Sequence, residues 1–115
     1  MPTERPAARL TDILENITRI ETYVAGVSDE AAFRSNAMAV DAVERCLARI
    51  SEAAVKLGAT AEALAPGQPW ADIRGIGNRL RHDYDDILPS LIWGVVRNRL
   101  GSLKADCLKA LERLD

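Results

Sequence analysis

The sequence is poor in the residues that build disulfide frameworks and metal centres. Its 115 residues include two cysteines, Cys46 and Cys107, too few for a disulfide scaffold, so we predict that both are reduced and buried. The single histidine, His82, excludes any metal site that needs two imidazoles. No Cys-x-x-Cys pair and no glycine-rich phosphate loop occurs. We therefore expect neither a metal nor an organic cofactor.

Long apolar runs and an excess of positive charge are also lacking. With no N-terminal apolar run and no stretch of about 18 apolar residues, we expect a cytoplasmic protein with no membrane contact. Lys and Arg number 15 against 17 Asp and Glu, a formal net charge of -2, so nucleic-acid binding requires a local cluster of cations. Aromatic residues make up 4%, which argues against binding single strands by base stacking.

What the sequence does have is an ordinary globular composition with helical periodicity. Hydrophobic residues make up 48%, and the length suits one domain over residues 1–115. Apolar residues recur at steps of three and four, which predicts main helices over about 10–27, 33–57 and 70–83 and a fourth after Asp86. Asn36 falls on the apolar stripe of the second. The prediction is an all-α, up-and-down four-helix-type bundle with one or two short extra helices.

Turn residues divide these helices. Gly26 and Gly58 are expected to end the first and second helices, and Asp29 lies at an N-cap position. The 66–69 stretch, with two prolines and a glycine, predicts a turn within one bundle. Gly101 is expected to kink or break the last helical stretch.

The third predicted helix carries the polar side chains with most chemical potential. At 100° per residue, one side is apolar and faces the core, and beside it lies a polar stripe formed by Arg74, Asn78, Arg81 and His82. Guanidinium groups bind phosphate oxygens in a fork geometry. An imidazole is suited to take a proton from a ribose 2′-hydroxyl or give one to the leaving oxygen, chemistry that needs no metal.

A plainer interpretation stands beside this one. A polar stripe on an amphipathic helix is usually a solvated face, and in this interpretation His82 serves only as a cation at the helix C-terminus. Three nearby carboxylates are available to neutralise the arginines as weak surface pairs: Asp83, Asp85 and Asp86. Trp70 and Trp93 are more typical of core or dimer anchors than of base-stacking platforms.

The same segment also resembles a known family. The run from Asn78 to Tyr84 (Asn-Arg-Leu-Arg-His-Asp-Tyr), preceded by Trp70-x-x-Ile-Arg-Gly-Ile and followed by Ile92-Trp93, is similar to the HepT-like (DUF86) branch of the HEPN superfamily. The likeness extends over nearly the whole chain. It implies a homodimeric helical bundle that cleaves RNA without metal. It also implies a toxin, with tRNA as one possible target, neutralised by a minimal nucleotidyltransferase antitoxin.

The resemblance assigns roles to individual residues. It implies that His82 is the general acid or base and that Asn78 positions it or the phosphate. Our own hypothesis, from their place on the same helix face, is that Arg74 or Arg81 stabilises charge on the phosphate. Arg79 is the expected further substrate contact.

Two positions qualify these assignments. Gly77 stands where the family has an arginine directly before the motif asparagine, so the expected catalytic arginine is missing. Tyr84 matches the tyrosine to which the antitoxin of relatives transfers adenylate, although a buried core tyrosine is the alternative. Two further hypotheses therefore stay open: a catalytically degenerate module that docks a nucleotidyltransferase, and a dimerising helical scaffold.

Overall fold

The computed structural model describes residues 5–82 and 88–114, and within them all regular structure is α-helical. Seven helices follow one another: α1 (Pro6–Tyr23), α2 (Glu30–Arg34), α3 (Ala37–Leu57), α4 (Ala59–Leu64), α5 (Trp70–His82), α6 (Leu88–Asn98) and α7 (Leu100–Leu114). The predicted all-α bundle is confirmed. Its main helices are α1, α3, α5 and the α6–α7 pair, and α2 and α4 are the short additions. No helix in the described part of the chain is both long and apolar enough to cross a membrane.

The core is organised around α3, which packs most extensively against α1 and α5. Trp70 begins α5 with its indole 1% exposed, and its Nε1 donates to the Ala65 carbonyl at 2.8 Å, so the polar end of a buried ring is satisfied. Phe33 of α2 stacks on Trp93 of α6 with ring centroids 5.2 Å apart. Both tryptophans are therefore buried in the core rather than displayed for base stacking.

Helix caps explain most boundaries. The Asp29 carboxylate accepts from the Ala32 N–H at 2.8 Å and starts α2 as predicted. Gly58, with φ +56°, ends α3 where the sequence placed its end. The expectation that Asn36 lies in a buried stripe is wrong. Asn36 is exposed, and its Oδ1 accepts from the Ala39 N–H at 3.0 Å, so it begins α3 and divides the predicted second helix into α2 and α3.

Other ends differ by a few residues. α1 begins at Pro6, a residue favoured in the first helical turn, and ends at Tyr23, before the predicted end. The break in the last helical stretch falls at Arg99, between α6 and α7, and Gly101 lies within the first turn of α7.

Both cysteines are free and buried, as predicted, and their pKa values predict inert thiols. Burial, with a further contribution from the Asp106 carboxylate, raises the pKa of Cys107 to about 12, and burial also raises the pKa of Cys46. At pH 8 the thiolate fraction of Cys107 is then on the order of 1 in 10⁴. We expect a thiol-reactive dye to leave both cysteines of the native protein unmodified and to label both after denaturation. Rapid labelling of the native protein would contradict this.

Candidate active site

Helix α5 presents the candidate residues because its other side is anchored in the core. Trp70 and Ile73 are buried, and Ile76 and Leu80 continue the apolar side in partly buried positions. Two catalytic candidates in its last two turns, Asn78 and His82, are exposed, as are Arg79 and Arg81. The imidazole of His82 is therefore open to solvent at the end of the described helix.

Arg74 is held inside the structure by three acceptors. Its Nη1 donates to the Glu62 Oε2 at 2.9 Å, its Nη2 to the Gly58 carbonyl at 2.8 Å and its Nε to the Ala54 carbonyl at 3.4 Å. The hydrogen bonds between the two side chains raise the pKa of Arg74 and lower the pKa of Glu62. Arg74 thus caps the C-terminal carbonyls of α3 and ties α4 to α5, with four of its five N–H donors engaged within the protein.

Gly77 lies at a close approach of α5 to α3. The hydroxyl of Ser51, a residue 3% exposed, donates to the Arg74 carbonyl at 2.9 Å and accepts from the Gly77 N–H at 3.0 Å. A Cβ at position 77 would lie 3.1 Å from that hydroxyl oxygen. A side chain at position 77 would therefore require the Ser51 oxygen, which is held by two hydrogen bonds, to shift by a few tenths of an ångström.

Arg81 brings a guanidinium back to this position. Its Nη1 lies 3.5 Å from the point where a Cβ of residue 77 would stand. No hydrogen bond or ion pair occupies the Arg81 guanidinium within residues 5–82 and 88–114. Of the two arginines that were candidates to replace the missing one, Arg81 is the one with donors available.

Three of the exposed candidate residues of α5 line grooves. Asn78 and Arg79 line a cleft between α5 and α6 with a volume of about 690 Å³, whose walls combine apolar side chains with Asp72 and Arg99. Arg81 lines a second groove, formed mainly by α1 and α3. The polar stripe is thus less compact than its spacing predicts: Arg74 turns inward, and Asn78 and Arg81 border different grooves. Tyr84 lies outside the described residues, as do Asp83, Asp85 and Asp86.

Sequence reasoning missed the residues that approach α5 from elsewhere in the chain. Ser51 and Glu62 contact α5 across 26 and 12 residues, and no local pattern marks such pairs.

The helical bundle and the exposed Asn78 and His82 on α5 are the features expected of a HEPN-type domain. The family model for HepT-like ribonucleases matches residues 13–110, so the chain belongs to the HepT-like ribonuclease family. No solved structure matches the chain.

The close contact at Gly77 predicts that the effect of Gly77→Ala on the free energy of unfolding changes sign when Ser51 is also replaced. Replacing glycine by alanine inside a helix ordinarily stabilises by about 1 kcal/mol. Here Gly77→Ala is expected to destabilise by roughly 1–3 kcal/mol, because the new methyl overpacks against Ser51. In a Ser51→Ala background the same change is expected to stabilise. Denaturant unfolding of the unmodified protein, the two single variants and the double variant measures the coupling energy between positions 51 and 77. Additive effects of the two substitutions would contradict the contact.

Proposed function

We propose that this protein is a metal-independent endoribonuclease in which Arg81 replaces the arginine missing at Gly77. The observation that carries the proposal is the position of the Arg81 guanidinium beside residue 77, on the helix that exposes His82. The family supports a ribonuclease activity, and the geometry supports this assignment of the phosphate contact.

The proposed reaction is internal transesterification of the RNA backbone. The ribose 2′-oxygen forms a bond to the adjacent phosphorus while the bond from phosphorus to the 5′-oxygen breaks. One proton leaves the 2′-hydroxyl and another is delivered to the 5′-oxygen. His82 performs one of these transfers, and either water or the His82 imidazole of a second copy performs the other. Arg81 stabilises the charge on the phosphate, Asn78 orients the phosphate or the imidazole, and Arg79 is a further contact to the RNA.

The chemical groups at the ends of the RNA cleavage products test this mechanism. Metal-free protein incubated with a tRNA pool in the presence of a chelator is expected to give 2′,3′-cyclic phosphate and 5′-hydroxyl ends. Cleavage that leaves 3′-hydroxyl ends would exclude attack by the 2′-oxygen.

We further propose that the cleft between α5 and α6 is where a second copy docks. Its walls include partly buried apolar side chains, Ile76, Leu80, Leu91 and Val95, and it borders Asn78. Docking there would bury these side chains and bring two α5 helices together. We expect sedimentation to give a dimer for the unmodified chain and a monomer for Leu91→Glu.

The resemblance also supports regulation by a nucleotidyltransferase antitoxin that adenylates Tyr84. Intact mass after incubation with that partner and ATP is expected to rise by one adenylate, with no increase in Tyr84→Phe. An increase that survives this substitution would place the modification elsewhere.

The second candidate function is a catalytically degenerate module that docks the nucleotidyltransferase. Gly77 is the observation that favours it, because the family's arginine is absent. Partner binding without RNA cleavage by the unmodified protein would decide for this alternative.

A further inference from the structure

The groove that begins at Arg81 is strongly basic, although the chain as a whole carries a net charge of -2. We name it the basic groove. It has a volume of about 490 Å³ and is lined from α1 by Arg9, Asp12 and Asn16, from α3 by Arg45, Arg49, Glu52 and Lys56, and from α5 by Arg81. Five cations thus face two carboxylates in one groove, the local excess that composition alone did not reveal.

The two carboxylates are already engaged by two of the cations. Asp12 pairs with Arg9 at 3.1 Å, and Glu52 lies 3.8 Å from Lys56. The other three cations, Arg45, Arg49 and Arg81, have no hydrogen bond or ion pair to any residue that the structure describes. Arg45 and Arg49 are exposed and one turn apart on α3. Guanidinium groups arranged in this way suit a ligand that carries several phosphates.

A second, independent feature of the groove is a buried polar atom without a partner. Asn16 is 8% exposed, and its Nδ2 donates to the Asp12 carbonyl at 2.8 Å, which leaves its Oδ1 as an acceptor with no donor in the described part of the chain. The Nε of Arg9 is likewise buried and unpaired. Unsatisfied buried polar groups are uncommon, and a binding site is one reason for them. Because the Asn16 Oδ1 is buried, a side chain that lines the groove must move before a ligand hydroxyl can reach it.

We propose that the basic groove binds the ribose-phosphate backbone of the RNA strand on one side of the scissile bond. This inference rests on the proposed ribonuclease function, because Arg81 is shared by the groove and the catalytic site. Arg45 and Arg49 contact phosphates beyond the one that is cleaved, and Asn16 accepts a hydrogen bond from a ribose 2′-hydroxyl. The groove therefore favours RNA over DNA at a position away from the reaction.

The experiment measures binding of a labelled single-stranded RNA by fluorescence anisotropy over a salt series, with His82→Ala in every protein so that the RNA stays intact. Each phosphate contact contributes a slope of about -0.7 in log K against log salt. We expect Arg45→Ala/Arg49→Ala to lower the magnitude of this slope by about 1.4 and to weaken binding about tenfold or more. The matched control, Arg19→Ala/Lys109→Ala, removes the same charge from outside the groove and is expected to keep the slope.

The contribution of Asn16 is tested separately with Asn16→Leu, which removes the unpaired acceptor at similar size. We expect weaker RNA binding, unchanged binding of DNA of the same sequence, and a Tm that does not fall. The proposal that the basic groove binds RNA would be overturned if Arg45→Ala/Arg49→Ala and its control lost equal RNA affinity. An unchanged salt slope in Arg45→Ala/Arg49→Ala would overturn it as well. Equal losses on RNA and DNA would overturn the hydroxyl contact. If the unmodified protein fails to cleave RNA while the His82→Ala proteins show groove-dependent binding, the nuclease proposal alone is refuted.

Discussion

His82→Ala is expected to lower the rate of RNA cleavage by about 10²–10⁴, because a positioned acid or base contributes that much to proton transfer. The side chain is exposed at the end of the described part of α5, so its removal is expected to change the free energy of unfolding by no more than about 0.5 kcal/mol. Initial rates on a defined RNA and a denaturant titration of the same preparation measure both quantities.

The control for this experiment is a variant on a remote exposed face, Lys109→Ala, purified in parallel and expected to cleave at the unmodified rate. Residual cleavage shared equally by all preparations, His82→Ala included, would come from a contaminating nuclease. If His82→Ala retains the full rate with cyclic phosphate ends, His82 is not the acid or base, and the assignment fails while the fold and family stand.

Much of the fold could be predicted because its signals are local. Apolar stripes at steps of three and four mark helices, and the third main helix, predicted over 70–83, begins at Trp70 as expected and is helical through His82, the last described residue before the gap. Asn36 shows the limit of periodicity. Its spacing fits the apolar stripe, but its amide competes for the backbone of the following turn and starts a new helix there.

The candidate site was predictable only in part, because its geometry depends on contacts between distant segments. The spacing of α5 placed Arg74 and Arg81 on one stripe as equivalent candidates. Nothing within α5 indicates that Glu62 and the end of α3 engage Arg74, or that Ser51 fills the space beside Gly77. Which arginine is available for substrate is therefore decided by α3 and α4, not by the motif itself.

Arg81→Ala is expected to lower the rate of RNA cleavage without loss of stability, whereas Arg74→Ala is expected to lower stability and leave the cleavage rate nearly unchanged. Removing the Arg81 guanidinium is expected to lower the cleavage rate by about 10²–10³, the usual effect of deleting one donor that stabilises transition-state charge. Stability is expected to stay within about 0.5 kcal/mol, since Arg81 is exposed and bonds to no described residue. Arg81→Lys keeps the charge without the fork geometry and is expected to recover only part of the rate.

Arg74→Ala leaves the Ala54 and Gly58 carbonyls without their side-chain donor, and we expect a loss of about 1 kcal/mol and a Tm lower by roughly 4 °C. The folded fraction of this variant is expected to cleave RNA at nearly the unmodified rate. Rates normalised to the folded fraction, measured beside unfolding curves, separate the two arginines. The reversed pattern would be cleavage lost in Arg74→Ala and kept in Arg81→Ala. It would mean that Arg74 leaves Glu62 to contact the phosphate and that Arg81 has no catalytic role.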